Sequence, residues 1–598
     1  MNYYAEKLEQ IFRDPLQKEA YNTEDSTVVI AGPGSGKTTI LTLKIMKLLN
    51  GYINEPQGLA CLTFSREAAR EFEDRLKLYG FRGRKNVFLG TVHSFCISEI
   101  LSKFADVYDY GINMPIKIIP KKLEQQILND VKKDFGITEK ITKVDIDKER
   151  ALNVNGQSQV LVHSNPTVNS IAREYEKRLL AAGYIDYQGI ITLSTQIIQD
   201  HEYVRKCISA RFPWIVIDEY QDLGKPLHEM VMSLFTTTDI KVFAVGDPDQ
   251  SIYGFSGAIP DYLMELYNRE DTISVELKNN YRSNQDIVNG SELVLGLERH
   301  YKAKTRENEK AEYKFISCNK GLADQFDYFI NRILPECVKE SIPLEEIAVL
   351  LSYNNDCTEL ALKCMENNIP YYISRHSFER TDFIKWLEIC SKWINNNEEA
   401  LFSEIYKYWE KLVLDHRNTK YISENDRVLM KSQFLSVLLD SREYKSKISD
   451  WITFVIDNLK ISELLIDSEI MPDEWENIGN LLKEVEDETY SDYDTSKFSK
   501  IGKPSNQITI STRHSSKGLE FEVVVMMGME EGHFPSWKAL KNSDELKETK
   551  RICFVCVSRA KRVCVLMHSN IYHEFEKDKH YNPSRYLLAL KHKFDTTT

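Results

Sequence analysis

Short β-branched apolar runs recur along the chain, and each leads into a polar motif: STVVIAG at 26–32, GLACLTFS at 58–65, NVFLGTV at 86–92, WIVIDE at 214–219, IKVFAVGD at 240–247, EIAVLLSY at 346–353, FEVVVMMG at 521–528 and RVCVLMHS at 562–569. Runs of this kind, separated by segments with helical spacing, predict strands buried on both faces of parallel sheets. They form two sets, divided near residue 275, so two α/β lobes are expected, with the polar motifs at the strand C-termini facing a ligand crevice. Two long stretches, 99–183 and 379–499, break this rhythm. Segments such as EIYKYWEKLVL and SQFLSVLLDS there repeat apolar residues at three and four positions, which predicts helical inserts.

The expected organisation is therefore lobe 1 over 1–98 and 184–276 with a helical insert over 99–183, and lobe 2 over 277–378 and 500–598 with a helical insert over 379–499. The stretch EVEDETYSDYD (484–494) carries six acids and no base and predicts a solvated exit from the second insert. No internal repeat or low-complexity tract is present.

Length agrees with this division, because 598 residues exceed the roughly 250–300 at which single cores split. Hydrophobic residues at 42% and charged residues at 28% give an ordinary globular balance. The net charge of −13 argues weakly against nucleic-acid binding, since affinity follows the local field of a groove rather than the whole-chain sum. Eleven cysteines without a spacing framework, and an N-terminus lacking a secretory h-region, predict a reducing cytoplasmic setting. No apolar run approaches the roughly 18 residues of a membrane span, so no membrane partner is expected. The pair Cys553 and Cys556, with Cys564 nearby, lies in the apolar string ICFVCV and reads as buried thiols rather than a zinc site.

The strongest chemical signal is AGPGSGKTT at 31–39, between the strand VVI and the helical pattern ILTLKIMKLL. Gly32, Gly34 and Gly36 let the backbone curl so that its N–H groups and the helix N-terminus cradle phosphates, with Ser35 and Thr39 completing the nucleotide-binding stretch. Lys37 is expected on the β and γ phosphates of ATP, and Thr38 on Mg²⁺, which takes hard oxygen ligands. A phosphate loop needs an acidic partner. IVIDEYQD supplies Asp218 for the metal and Glu219 to orient and deprotonate the attacking water.

With these residues in place, the chain resembles the UvrD/Rep/PcrA helicases of superfamily 1A, from Gln17 nearly to the C-terminus. The resemblance rests on an ordered series of strings: LQKEA, LTFSREAAREFEDRL, GTVHSF, DEYQDL, GDPDQSIYGFSGA, NNYRS, IPYYISRHSFER, STRHSSKGLEFEVVVMMGMEEGHFP and KRICFVCVSRA. GYIDYQGI and PSRYL share the family look. It implies two RecA-like motor lobes, each with a helical insert, and an ATP-driven translocase with 3′–5′ helicase activity on single-stranded and tailed duplex DNA. It further implies that Gln17 reads the adenine edge, Tyr281 stacks on the base, and Glu520 contacts the nucleotide. Arg282 and Arg559, expected from lobe 2, would meet the γ-phosphate when the cleft shuts, and Gln250 would link phosphate to track. Phe64, His93, Tyr253 and Phe255 would line the DNA track, with His514 near a backbone phosphate.

The chain departs from the family pattern at several positions. Ala31 replaces the first loop glycine, Thr39 stands where arginine is common, Ser256 occupies the arginine position of WRGA, and LSYN at 351–354 lacks the arginine of YRTN. The second insert is short, and no nuclease is expected after PSRYL. A second reading is therefore a DNA-dependent ATPase subunit that unwinds poorly alone and serves a separate nuclease, in repair, recombination or antiphage defence. A P-loop enzyme without a nucleic-acid track is the remaining alternative, and it leaves LTFSREAAREFEDRL, GDPDQSIYGFSGA and STRHSSKGLEFEVVVMMGMEEGHFP unexplained. RNA as the track is not separable from DNA by stacking residues alone.

Overall fold

The structure, a computed structural model, describes residues 3–81, 86–137, 141–152, 166–254, 257–373, 378–396, 400–417, 419, 421–466, 468, 471, 473–486, 494–499, 501, 506–574 and 577–595. Phe255 and Ser256, and most of the acidic stretch at 484–494, lie outside the described residues. Contacts divide the chain into two units, the first comprising Met1–Glu312 and Trp537–Arg562, the second Tyr313–Ser536 and Val563–Thr598.

The first unit is built on a six-stranded sheet of β1 (Thr27–Ala31), β2 (Leu59–Thr63), β3 (Phe88–Thr91), β4 (Trp214–Ile217), β5 (Lys241–Gly246) and β6 (Ile273–Leu277), in the order β3-β2-β4-β5-β1-β6. Every pairing is parallel. Alternate residues serve opposite faces, as the pleat requires. Val28, Ala60, Leu62, Ile215 and Ile217 enter one core with the helix Tyr187–Asp200. Val29, Cys61, Trp214, Val216 and Phe243 enter the other, with the helix Lys37–Gly51. Burial on both faces explains why these strands read as unbroken apolar runs rather than alternating ones.

Because all six strands point the same way, their C-termini share one edge, and Gly32, Asp218 and Asp247 all follow directly from it. The helices Lys121–Asp134, Lys143–Leu152 and Pro166–Ala181 gather around their own core of Leu128, Val131, Ile171 and Tyr175, while Ile100, Leu101 and Ala105 pack in the core of the sheet. A two-residue pairing of β7 (Asn279–Asn280) with β8 (Lys302–Ala303) follows the sheet.

The second unit repeats the architecture. Strands β9 (Glu312–Cys318), β10 (Ile347–Leu351), β11 (Tyr371–Ile373), β12 (Ile508–Thr512), β13 (Phe521–Met526) and β14 (Ala560–Ser569) form a sheet of order β11-β12-β10-β13-β14-β9, and β15 (Ile571–Glu574) pairs with β16 (Lys577–His580). Between β11 and β12 the chain is helical, and EIYKYWEKLVL and SQFLSVLLDS fall in the helices Phe402–His416 and Glu424–Asp440. Their core is aromatic-rich, with Trp386, Trp409 and Phe434 stacked at ring separations of 5.7–6.1 Å. Two RecA-like α/β lobes with parallel sheets and helical inserts are thus the observed fold class. Cys553, Cys556 and Cys564 are fully buried thiols in the helix Ser543–Val557 and β14. Among the described residues, no helix is long and apolar enough to cross a membrane.

Candidate functional site

The loop after β1 has the conformation that its glycines predict. Gly34 and Gly36 adopt left-handed φ values of +68° and +84°. A Cβ on Gly34 would lie 2.8–2.9 Å from Arg282 and Asn280, so a side chain there is excluded by space as well as by φ, and one on Gly32 would lie 2.5 Å from the Tyr301 ring. Ser35 Oγ donates to Gly32 O at 2.7 Å and closes the curl. Gly36 caps the helix Lys37–Gly51 without a side-chain hydrogen bond, leaving first-turn N–H groups open to an anion. Thr38 and Thr39 occupy that first turn.

Two elements brace this loop. The helix Pro15–Asn22 is N-capped by Asp14 and carries Gln17, whose Nε2 donates to Ser35 O at 2.8 Å. After β6, Tyr281 N donates to Gly34 O at 2.8 Å and Asn280 Nδ2 to Pro33 O at 2.7 Å. Tyr281 Oη returns to Asp14 Oδ2 at 2.8 Å, so the two expected adenine-contacting residues, Gln17 and Tyr281, are tied to one carboxylate. Burial, followed by Asp14, pushes the Tyr281 phenol up, and it stays protonated and donates.

Lys37 Nζ is buried and makes no hydrogen bond, and its nearest carboxylate oxygen is Glu219 Oε1 at 3.7 Å. Glu219 adopts φ +51°, a left-handed conformation that costs a non-glycine residue on the order of 1–3 kcal/mol and turns the chain directly after β4. Gln221 Nε2 donates to Glu219 Oε2, while Gln221 Oε1 accepts from Asp247 N at 2.9 Å, linking the ends of β4 and β5. Asp218 is nearly buried at the end of β4.

Asp247 has no assigned role in the sequence reading, although it stands in the GDPDQ string. Burial, then the neighbouring Asp249, pushes its carboxyl up to about 6, with Lys37 opposing. Gln250 Nε2 donates to Asp247 Oδ2, and Gln250 Oε1 accepts from Arg559 Nη2 at 3.4 Å. Arg559 is buried at the end of the helix Ser543–Val557, with Nε on Val555 O at 3.0 Å. Arg282 Nη1 lies 3.5 Å from Ser558 O. By contacts both arginines therefore fall in the first unit, because the helix Gln285–Leu295 packs on Ser543–Val557 and Ser283 Oγ bonds Ala560 O at 2.6 Å. Glu520, exposed before β13, and His514, half-buried after β12, belong to the second unit.

The residues present fit a Mg²⁺–nucleotide: an open helix N-terminus, a buried ammonium without an acceptor, and hard oxygen donors at Thr38 and Asp218.

A second site lies in the same unit, a cavity of about 520 Å³ lined by Phe64, His93 and Tyr253 together with Tyr187 and Lys148. Phe64 follows β2 and remains 40% exposed before Ser65 caps the next helix. Thr91 caps the short helix that holds His93. Burial lowers the His93 imidazole and so favours the neutral ring. Tyr187 meets it edge to face at 5.5 Å. Tyr187 belongs to the string GYIDYQGI but received no role from sequence, and only the fold brings it beside His93.

Comparison with known proteins agrees with this anatomy. Residues 14–271 match the UvrD/REP helicase N-terminal domain, and residues 275–436 and 397–570 match the UvrD-like helicase C-terminal domain. The chain is 26% identical to the ATP-dependent DNA helicase PcrA of Staphylococcus aureus, over 96% of this chain and 85% of that protein. It is 25% identical to the ATP-dependent DNA helicase Rep of Buchnera aphidicola, over 94% of each. Two parallel-sheet lobes, a phosphate loop backed by DEYQD, and family matches spanning most of the sequence together make this chain a member of the UvrD/Rep helicase family.

Proposed function

We propose that this protein is an ATP-driven motor that translocates along single-stranded DNA in the 3′–5′ direction and unwinds 3′-tailed duplexes. The observation that carries this reading is the segment 247–253. At one end, Asp247 and Gln250 stand beside Lys37 and Arg559. At the other, Tyr253 lines the aromatic cavity, so one short run of chain serves both sites.

In this reading the triphosphate lies along the loop 32–39, with Gln17 and Tyr281 flanking the adenine. Lys37 exchanges its distant Glu219 neighbour for phosphate oxygens, which supply the acceptors that its buried Nζ lacks. Thr38 and Asp218 hold Mg²⁺, which neutralises phosphate charge when bound. Glu219 takes the proton of the attacking water as the oxygen bonds to the γ-phosphorus and ADP leaves. Arg282 and Arg559 place cationic charge on the transferring group, and Glu520, by family resemblance, contacts the nucleotide. Gln250, holding Asp247 and Arg559 at once, registers the state of the phosphate and passes it to Tyr253. Bases stack on Phe64, His93, Tyr253 and Phe255, which suits a motor indifferent to sequence because every base has a π-face. His514 approaches a backbone phosphate.

ATP turnover measured without nucleic acid, with single-stranded DNA and with RNA tests the reading. Stimulation by DNA, abolished by Lys37→Ala, is expected, and equal rates in all three conditions would refute a nucleic-acid motor. Strand displacement is expected on 3′-tailed but not 5′-tailed duplexes, and the reverse preference would overturn the polarity. DNA-stimulated turnover without displacement would reduce the activity of the isolated chain to translocation.

A further inference from the structure

The aromatic cavity of the first unit is poorly endowed with positive charge for a nucleic-acid site. Its walls include the carboxylates Asp147 and Asp222, and burial disfavours a charged His93. Lys148 is the one lysine or arginine among the described residues that line it. Stacking holds bases, but a strand also brings a phosphate with each base, and the backbone needs a cation that tracks it.

We infer that Lys148, on the insert helix Lys143–Leu152, is the residue that contacts the DNA backbone phosphate in this cavity, so that the helical insert forms a working wall of the track. The inference rests on the DNA-motor reading above and adds to it a residue and an element.

Three observations support Lys148 over its neighbours. The other cations of its helix are committed: Lys143 bonds both oxygens of Asp147 at 2.7 Å, and Arg150 bonds Asp186 at 2.6 and 3.0 Å. The Lys143 pair also occupies Asp147, which lessens its repulsion of a phosphate. The Arg150–Asp186 pair also fixes the helix against the residue preceding Tyr187, so Lys148 and the Tyr187 ring hold a constant relation across the cavity.

Lys148 further acts on Glu548, whose Oε1 accepts from Gly254 N at 3.2 Å next to Tyr253. Lys148 and Tyr253 line the same cavity, and an approaching phosphate would compete with Glu548 for the ammonium.

The test is the salt dependence of binding. Affinity of the full chain for a dye-labelled oligothymidylate is measured by fluorescence anisotropy from about 50 to about 200 mM salt, for wild type, Lys148→Gln and Lys148→Arg. Loss of one single-strand phosphate contact should reduce the slope of log K against log salt by about 0.7, so that the wild-type advantage shrinks about 2.6-fold across the range. Lys148→Arg should keep the wild-type slope. An unchanged slope in Lys148→Gln, or an equal loss of affinity at every salt concentration, would overturn the inference, the latter pointing to a packing role. If the slope change vanished in a Glu548→Gln background, Lys148 would serve only to neutralise Glu548, and the inference would equally fail. These outcomes presuppose a wild-type chain that binds the oligonucleotide, and a wild type that does not bind would instead remove the motor reading itself.

Discussion

Replacing Arg150 by Met should loosen the insert helix and the start of the helix Tyr187–Asp200 together. Arg150 is 5% exposed, and its guanidinium meets both Asp186 oxygens at 2.6 and 3.0 Å and Glu176 Oε1 at 2.9 Å. Asp186 is equally buried and caps the helix Tyr187–Asp200 through Gly189 N at 2.8 Å. Methionine fills much of the volume but leaves Asp186 with Lys143, at 3.2 Å, as its remaining cation. Breaking a buried pair from one side costs about 3–5 kcal/mol. A chain of several domains has no single unfolding free energy, so the local opening reaction is the quantity to measure. Amide hydrogen exchange over 141–152 and 186–200 should accelerate by about two to four orders of magnitude, while exchange in β10 and β13 stays as in wild type. Acid should reproduce the effect. Burial alone would raise the Asp186 carboxyl, but Arg150, then Lys143, hold it well below the usual carboxylate range. A depressed folded-state pKa means that the stabilisation is complete above the unfolded value of about 3.9 and is lost as pH falls below it. Asp186→Asn, which keeps the helix cap, should remove that acid dependence. Unchanged protection of both segments in Arg150→Met would refute the argument that this pair holds the cavity wall.

Glu219→Gln keeps the size and an acceptor oxygen but cannot take up the proton of water, so turnover should fall at least about 100-fold while a fluorescent ATP analogue still binds; full phosphate release would sink the assignment. Gly34→Ala places a Cβ 2.8 Å from Arg282 at a φ of +68°, and loss of nucleotide binding with an unchanged circular dichroism spectrum is expected; wild-type affinity would show that the loop relaxes freely. Tyr253→Ala should weaken oligothymidylate binding by about 1–3 kcal/mol, or roughly 5- to 150-fold, and Tyr253→Phe should restore it. If both variants matched wild type, Tyr253 would be a packing residue rather than a stacking one.

How much of this was legible in the sequence depended on whether a residue's neighbours were local. Strands β1, β2, β4, β5, β10 and β13 were readable because each is buried along nearly all of its length and is dominated by apolar residues, with Thr27, Thr63, Lys241 and Glu522 as their polar positions. β12 was not, because ITIST places Thr509 and Ser511 in the interior, and buried hydroxyls disguise a central strand as a polar segment. β6 escaped for the opposite reason: it is an edge strand, partly exposed along ISVEL, with no continuous run to mark it. The glycines and Lys37 could be assigned because a phosphate loop is a local device. Asp247 could not, since nothing in GDPDQ reveals which carboxylate is fully buried. The same holds for Tyr187 and Lys148, which reach the cavity only through the packing of the insert. The position of Arg282 and Arg559 with the first unit depends on two helices distant in sequence meeting each other, a relation without a pattern in either helix.

The departures from local rules share a location, and this separates site from scaffold. Glu219 is left-handed without being glycine, Lys37 has a buried ammonium without an acceptor, Asp247 is a buried carboxylate beside another, and Gly36 caps a helix without a side-chain bond. Each costs free energy, and all four stand at the C-terminal edge of one parallel sheet whose strands are otherwise predominantly apolar. A scaffold under no functional demand would have shed them, since substitutions that relieve each are simple. Left-handed backbone, an ammonium without a hydrogen-bond acceptor and open N–H groups are of one kind: all are acceptor-seeking or turn-forming features that a polyphosphate satisfies together. The sheet's own stability, spread over both of its cores, is what permits that edge to remain unsatisfied until substrate arrives.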